Sequence, residues 1–296
     1  MKTLFIIITC FVIADFVQAQ KQVDYIKYYR YASEGDFYFY TNQFDSAVVY
    51  FDKAFSFVNT PHPSQRTRYA QSLWNLNRRS DALEQLMLDK FSISVNINRF
   101  PGITIDEEQK VNTVLLDNKK ENPMQQFYQD FMDSLMMMDQ SVRVGIDLSN
   151  KESLQKMLHQ DSLNRITFLD FTKKYGAPGG VNVGWDQTIG TFFLHLPKEW
   201  LEAHQDFLLQ EVRKGNIEPW CLARGIDRMW AEGEKGNITS PNGFYYRDTN
   251  EKLEVVFENC VKIGASPYFN FPTHQLREGK YFNYFKENKS RFSCIR

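Results

Sequence analysis

The chain has 296 residues, of which 43% are hydrophobic and 24% charged, and its formal net charge is -1. This composition excludes a disordered chain, a collagen-like chain and a cysteine-stapled miniprotein. A nucleic-acid partner is not expected either, because contacts to phosphates require a surplus of basic residues. The length is that of a globular protein with one or two domains and a substantial core.

The segment 1–19 has the pattern of a secretory signal peptide. Lys2 gives a positive start, the run from Leu4 to Ile13 is mostly apolar, and Gln20-Lys21 begins polar sequence. The apolar run is shorter than the roughly 20 residues that a membrane span needs, and a buried first helix is the alternative. We therefore expect cleavage after Ala19, a secreted or periplasmic protein, and no transmembrane segment in the mature chain.

Three cysteines follow that segment, at Cys221, Cys260 and Cys294, and none belongs to a C-x-x-C pair. Export would permit one disulfide with a leftover thiol, and three inert thiols are the alternative. The spacing does not favour a zinc site, so no metal site is predicted. The sequence also lacks the phosphate-loop, zinc-protease, serine-hydrolase and calcium-loop motifs, and it identifies no cofactor.

Small and large apolar residues recur in a helical pattern near the start of the mature chain. The small residues Gly35, Ala47 and Ala54 would let two helices approach closely, and Tyr38 and Phe51 would fill the space between them. This pattern resembles the tetratricopeptide repeat, a pair of helices that recurs every 34 residues.

A second and weaker copy of the pattern completes the segment 20–91. Ala82 follows Ala47 by 35 residues, and the turn at Asn77 follows the turn at Asn42 by the same interval. Two copies are fewer than the three usually needed for a free-standing solenoid, so we expect this layer to pack against the rest of the chain. Such repeats bind a protein or peptide partner, and a purely architectural layer is the alternative.

The segment 92–122 is predicted as a linker to a helical domain at 123–270. Apolar residues alternate with polar ones from Ile93 to Ile97, which indicates a short extended run. The acidic residues at 106–108 favour the start of a helix, because its N-terminal dipole is positive. Asn122-Pro123 is the expected domain boundary.

Glycines predict two helix ends in the helical domain. One apolar helix should end at Tyr175-Gly176 and another at Lys214-Gly215. The glycine-rich stretch 176–184 follows a helix and not a strand, so it is only a weak match to a phosphate-binding loop. Further on, Asn242-Gly243 allows one small β-hairpin. The aromatic-rich extension 271–296 would either bind a sugar or partner or pack over the helical body.

Several motifs between residues 155 and 235 occur in a defined order. They are Asp161-x-x-Asn164, Tyr175-Gly176-x-Pro178, Val183-Gly184, His195, Leu222-Ala223 and Asp227-Arg228. This ordered set resembles the domain of unknown function numbered 6624, which occurs in secreted bacterial proteins, especially those of Bacteroidetes. The chain departs from the family further on, where Asn242-Gly243-Phe244-Tyr245-Tyr246 replaces an expected Gln-x-Tyr-Gly-Thr-Gln stretch. The family has no established activity, so the resemblance implies a bacterial setting and not a mechanism.

Polar residues within these motifs are the candidate functional residues. The candidate catalytic residues are His195, Asp227 and Arg228, and the candidate ligand-binding residues are Asp161, Asn164 and Tyr175. An aspartate and a histidine together can bind a divalent metal or perform acid/base hydrolysis, with an arginine holding an anionic substrate. A buried polar network that fixes how the helices meet is the alternative.

We expect a mainly α fold, in which a short tetratricopeptide-like layer packs with a C-terminal helical domain. The first function hypothesis is an exported protein-binding or scaffolding protein, with a protein or peptide partner on the repeat layer. The second is a hydrolase-like enzyme, or a metal or small-ligand binder, that uses the Asp/His/Arg cluster.

Overall fold

The regular structure of the chain is helical, as predicted. The computed structural model describes residues 23–92, 94–120, 123–147, 149–185, 188–223, 225, 260 and 262–264, and no strand occurs among them. The mainly α fold class is therefore confirmed. The predicted signal segment, the hairpin at Asn242-Gly243 and the extension 271–296 lie outside the described residues.

Ten α-helices make up most of the described chain. The first five are α1 (Tyr25–Tyr40), α2 (Phe44–Phe55), α3 (Pro63–Asn75), α4 (Arg79–Met87) and α5 (Ile105–Lys120). The next five are α6 (Pro123–Ser141), α7 (Lys151–Tyr175), α8 (Thr188–Phe193), α9 (Lys198–Ala203) and α10 (Gln205–Lys214). None of the helices in the described ranges is both long and apolar enough to cross a membrane.

Helices α1 to α4 form two consecutive helical pairs, α1 with α2 and α3 with α4. A Cβ atom at Gly35 would lie 2.8 Å from the ring of Phe51, so only glycine permits this approach of α1 and α2. Ala47, Ala54 and Ala82 are fully buried. The predicted small-and-large pattern thus describes how these helices pack.

The two turns inside the pairs have the same backbone conformation. Asn42 and Asn77 both lie in the left-handed region, with φ of 58° and 60°. Asparagine tolerates this region better than most residues. The following amides of Gln43 and Arg78 each donate to a carbonyl five residues back, at 2.9 Å. This equivalence, at a spacing of 35 residues, supports an internal repeat.

The segment 92–122, which we predicted as a linker, carries helix α5, whose start the acidic residues at 106–108 indicated. Val111 and Leu115 of α5 are buried in the same apolar cluster as residues of α1 to α4, and we call this cluster the first core. The helix begins with a capping box, in which Thr104 and Glu107 each accept the backbone N–H of the other, at 3.2 and 2.8 Å. A 3-10 turn at Ile97–Arg99 begins at the last residue of the expected extended run.

A second core forms where α6 packs along α7. The rings of Phe131 and Phe171 stack with centroids 3.6 Å apart, and Phe168 and Phe193 are fully buried. Cys221 is also buried in this core, and Cys260 is buried as well. Cys294 lies outside the described residues.

Both predicted helix ends occur where the glycines indicated them. Helix α7 ends at Gly176, with φ of 91°, and α10 ends at Gly215, with φ of 84°. The glycine-rich stretch then packs directly on the second of these ends. The backbone N–H of Val181 donates to the Gly215 carbonyl at 2.9 Å, so the glycines of this loop permit a close backbone approach.

The two cores meet at helix α1, where several buried polar atoms lack partners. The rings of Tyr29 and Trp185 lie 6.2 Å apart, edge to face. Tyr29 Oη, Trp185 Nε1 and Glu218 Oε1 make no hydrogen bond to the described part of the chain. Burial, and then the charge of Glu218, raise the pKa of Tyr29 well above its ordinary value. The neighbouring hydroxyl of Tyr28 differs, because it donates to Gln65 and accepts the His62 N–H.

These two tyrosines give a matched test of stability. We expect Tyr29→Phe to raise the free energy of unfolding by about 1 kcal/mol, because it removes a buried hydroxyl without a partner. Tyr28→Phe should lower it by about 1 kcal/mol or more, because Gln65 and His62 would then lose their partner. Urea unfolding of both variants checks the prediction, and an equal loss of stability in both would contradict it.

Candidate functional site

The structure connects two of the predicted site residues through a buried ion network. His195 Nδ1 lies 2.7 Å from Asp139 Oδ2, and Arg143 Nη2 lies 3.2 Å from Asp139 Oδ1. The same Arg143 nitrogen lies 2.7 Å from Asp161 Oδ1. Asp161 and His195 therefore belong to one cluster, which we call the Asp–His network and define by Asp139, Arg143, Asp161 and His195.

Three parts of the second core hold this network together. Asp139 lies in the last turn of α6, and Arg143 follows in the turn directly after this helix. Asp161 comes from the facing helix α7. His195 lies in the turn after α8, where its backbone N–H donates to the Phe192 carbonyl at 2.9 Å. The buried rings of α8 anchor that turn and so position the imidazole.

The network places a partly exposed imidazole on a buried carboxylate. Asp139 is 1% exposed, whereas the side chain of His195 is 18% exposed. Burial raises the pKa of Asp139, but the hydrogen bond and charge of His195, together with the charge of Arg143, outweigh it and lower the pKa. An ionised carboxylate only accepts hydrogen bonds, so the Nδ1 atom of His195 carries the hydrogen. In the neutral ring, Nε2 then remains as a proton acceptor.

Three polar atoms in or beside the network make no hydrogen bond within the described ranges. They are Asp139 Oδ1, Arg143 Nη1 and Asn164 Nδ2, all three buried, and of these only Asp139 Oδ1 has an ion-pair partner, Arg143 at 3.2 Å. Asn164 lies three residues beyond Asp161 on α7, and its Oδ1 accepts from Gln160 at 2.8 Å. A buried polar atom without a partner costs free energy, which is more often tolerated at functional sites than elsewhere. Asn164 is therefore placed beside the network, as a third predicted residue.

Tyr175 does not join the network. Its side chain is 42% exposed and its ring contacts Phe127 and Phe171, with centroids about 5 Å away. Its carbonyl accepts from the hydroxyl of Tyr128 at 2.6 Å. The structure therefore does not bring Tyr175 together with Asp161 and Asn164, because this end of α7 packs against the aromatic side of α6, and its ligand-binding role stays a prediction.

Asp227 and Arg228 lie outside the described residues. The arginine and the second aspartate that contact Asp161 and His195 are Arg143 and Asp139, which the sequence analysis missed. The available signal was an aspartate and an arginine four residues apart, at the end of an amphipathic helix. Within the described ranges, no three or more His, Cys, Asp or Glu side chains are arranged to hold a metal ion.

Comparison of the chain with family models, curated proteins and solved structures found no match. The resemblances to the tetratricopeptide repeat and to the domain family numbered 6624 therefore stay predictions.

Proposed function

We propose that the protein is a hydrolase-like enzyme in which His195 acts as a general base. One observation carries this proposal: the His195 imidazole is held at 2.7 Å by a buried carboxylate while its edge reaches solvent. An aspartate that holds the imidazole in one tautomer is a recurring device of acid/base catalysis. With the predicted signal segment 1–19, we further propose that the enzyme acts outside the cytoplasm.

Each residue of the network has a role in the proposed chemistry. Nε2 of His195 takes a proton from an attacking water, and Asp139 stabilises the imidazolium that results. Arg143 contacts both Asp139 and Asp161, so it holds the first carboxylate in place between α6 and α7. Two carboxylates face one guanidinium, and this balance favours a neutral or cationic substrate over an anionic one.

Replacing His195 tests this proposal. We expect His195→Gln to lower the hydrolysis of neutral aryl esters at least 100-fold while leaving the protein folded, because general-base catalysis contributes about that much. Activity is followed by release of 4-nitrophenol from acetyl, butyryl and octanoyl esters. His204→Gln is the matched control, since the His204 ring stacks on Trp200 and its Nδ1 faces a backbone carbonyl.

The outcome separates catalysis from a structural role. Full activity in His204→Gln together with a loss in His195→Gln supports the proposal. Turnover in the His195→Gln protein equal to that of the original chain would overturn it, as would a failure of the original protein to hydrolyse any of the three esters above the buffer rate.

Partner binding by the repeat layer is a second candidate function. The observation that favours it is the pair of equivalent turns at Asn42 and Asn77, which supports a repeat of the kind that binds proteins. A photo-crosslinking residue at the exposed position Asn75 of α3 tests it, with Arg213 as the control position. One discrete product from position 75, reproduced with the purified partner, supports binding. Equal products from both positions contradict it.

A further inference from the structure

The first core contains an open cleft that the proposed acid/base chemistry does not use. Its volume is about 200 Å³, and it lies between α3, α4, α5 and the segment that joins the last two. The residues that line it include Thr67, Leu86, Asp89, Ser94, Asn96, Arg99 and Leu115. Leu86 and Leu115 are buried and supply an apolar floor, whereas Ser94, Asn96 and Arg99 are exposed at the rim.

The one carboxylate in this cleft already has its hydrogen bonds. Asp89 accepts the backbone N–H groups of Phe91 and Ser92, at 2.9 and 3.2 Å, and the Ser92 hydroxyl at 2.5 Å. The buried guanidinium of Arg66 lies near enough for the charge of Asp89 to raise its pKa, against a larger lowering by burial. Asp89 therefore closes the turn after α4 and does not offer a vacant acceptor to a cation.

The unused polar groups of the cleft are donors. The hydroxyl of Thr67 is used, because it donates to the Pro63 carbonyl at 3.0 Å. The Asn96 amide oxygen is also used, since it accepts the Asn98 N–H at 3.2 Å. The Arg99 guanidinium, the Ser94 hydroxyl and the Asn96 Nδ2 make no hydrogen bond or ion pair to the described part of the chain. A guanidinium beside two further hydrogen-bond donors is complementary to a carboxylate.

We propose that this cleft binds a small aliphatic carboxylate. The charged end contacts Arg99 and the donors of Ser94 and Asn96, and the branched apolar end lies over Leu86 and Leu115. A volume of 200 Å³ holds about seven water-sized groups, which is the heavy-atom count of 3-methylbutanoate. The same chemistry is presented by a free branched-chain acid and by a peptide whose last residue is aliphatic.

Titration of the folded protein with 3-methylbutanoate tests this proposal. We expect saturable binding by calorimetry, and at least tenfold weaker binding in Arg99→Met, which keeps the stem and removes the charge. Ser94→Leu should weaken binding equally, because it fills the cleft without altering charge. Arg213→Met is the matched control, since it removes an exposed arginine outside the cleft and should leave the affinity unchanged. The neutral 3-methylbutanamide should bind at least tenfold more weakly than the acid.

A second set of titrations distinguishes a free branched-chain acid from the C-terminus of a peptide. Gly-Gly-Val and its C-terminal amide are titrated in the same way. Tighter binding of the free tripeptide than of 3-methylbutanoate assigns the cleft to chain termini, and binding of the free acid alone assigns it to small carboxylates. The absence of saturable binding to the folded protein overturns the proposal. Equal losses in Arg99→Met and Arg213→Met, or equal affinity for acid and amide, overturn it as well.

Discussion

Replacing Gly180 with alanine is expected to lower the free energy of unfolding by about 4 kcal/mol or more. A Cβ atom at this position would lie 1.8 Å from the carbonyl oxygen of Gly215. That oxygen belongs to the backbone, and it also accepts the N–H of Val181, so no side chain can rotate away to make room. The left-handed φ of 47° adds the ordinary strain of a non-glycine residue.

Gly145 provides the control for this substitution. It also has a left-handed φ, of 71°, but a Cβ atom there would meet nothing within 4 Å. Gly145→Ala should therefore lower the free energy of unfolding by about 1 kcal/mol, which is the backbone strain alone. Urea unfolding of both variants measures the difference. Similar losses of stability in the two would show that the contact between the glycine-rich loop and Gly215 does not constrain the fold.

Local signals predicted much of the fold because they act within a few residues. The glycines at Gly176 and Gly215 follow helix ends with a positive φ that few other residues adopt, and Gly215 is left-handed in both angles; recognising such ends requires no knowledge of distant contacts. The turns at Asn42 and Asn77 could be aligned from spacing alone. The packing of Gly35 on Phe51 followed from the same pattern, because a residue without a side chain opposite a large ring indicates close helix contact.

The packing of helix α5 within the segment 92–122 could be predicted only in part, because its evidence is partly non-local. Thr104 and Glu107 form a capping box that the sequence displays, and it marks the start of α5. The apolar pattern of α5 is short, however, because Val111 and Leu115 are its two buried apolar positions. The burial of these side chains depends on the helix α4 that packs beside them. A helix whose buried stripe is narrow is therefore easily taken for a connection between domains.

The Asp–His network could be predicted only in part. Asp161 and His195 were named from an ordered set of motifs, but a sequence does not show that Arg143, in the turn after α6, contacts Asp161. The partner of His195 is Asp139, which is 56 residues away and directly follows three methionines. Those methionines indicate a packed core, which hides the polar role of the next residue. The contact between His195 and Asp139 depends on where α8 ends relative to α6.

Replacing Arg143 with methionine is expected to lower the free energy of unfolding at neutral pH by about 3 kcal/mol. Methionine keeps much of the apolar stem but removes the charge that both Asp139 and Asp161 contact. Two carboxylates would then remain in a largely buried site without the guanidinium that both of them contact. Urea unfolding at pH 7 measures the loss, and Arg213→Met, at an exposed position, should cost less than about 0.5 kcal/mol.

The pH dependence of this loss distinguishes the charge of Arg143 from the packing of its stem. The pKa of Asp139 is lowered in the folded chain, so its ionised form stabilises the fold above the ordinary aspartate value of about 3.9. That contribution disappears as the pH falls through the lowered pKa. The original protein should therefore lose stability in acid, and the difference in stability between it and Arg143→Met should narrow below about pH 4, where the unfolded chain takes up a proton that Asp139 of the folded chain still resists. A gap that stays constant from pH 7 to pH 3 would assign the effect of Arg143 to packing of its stem and not to its charge.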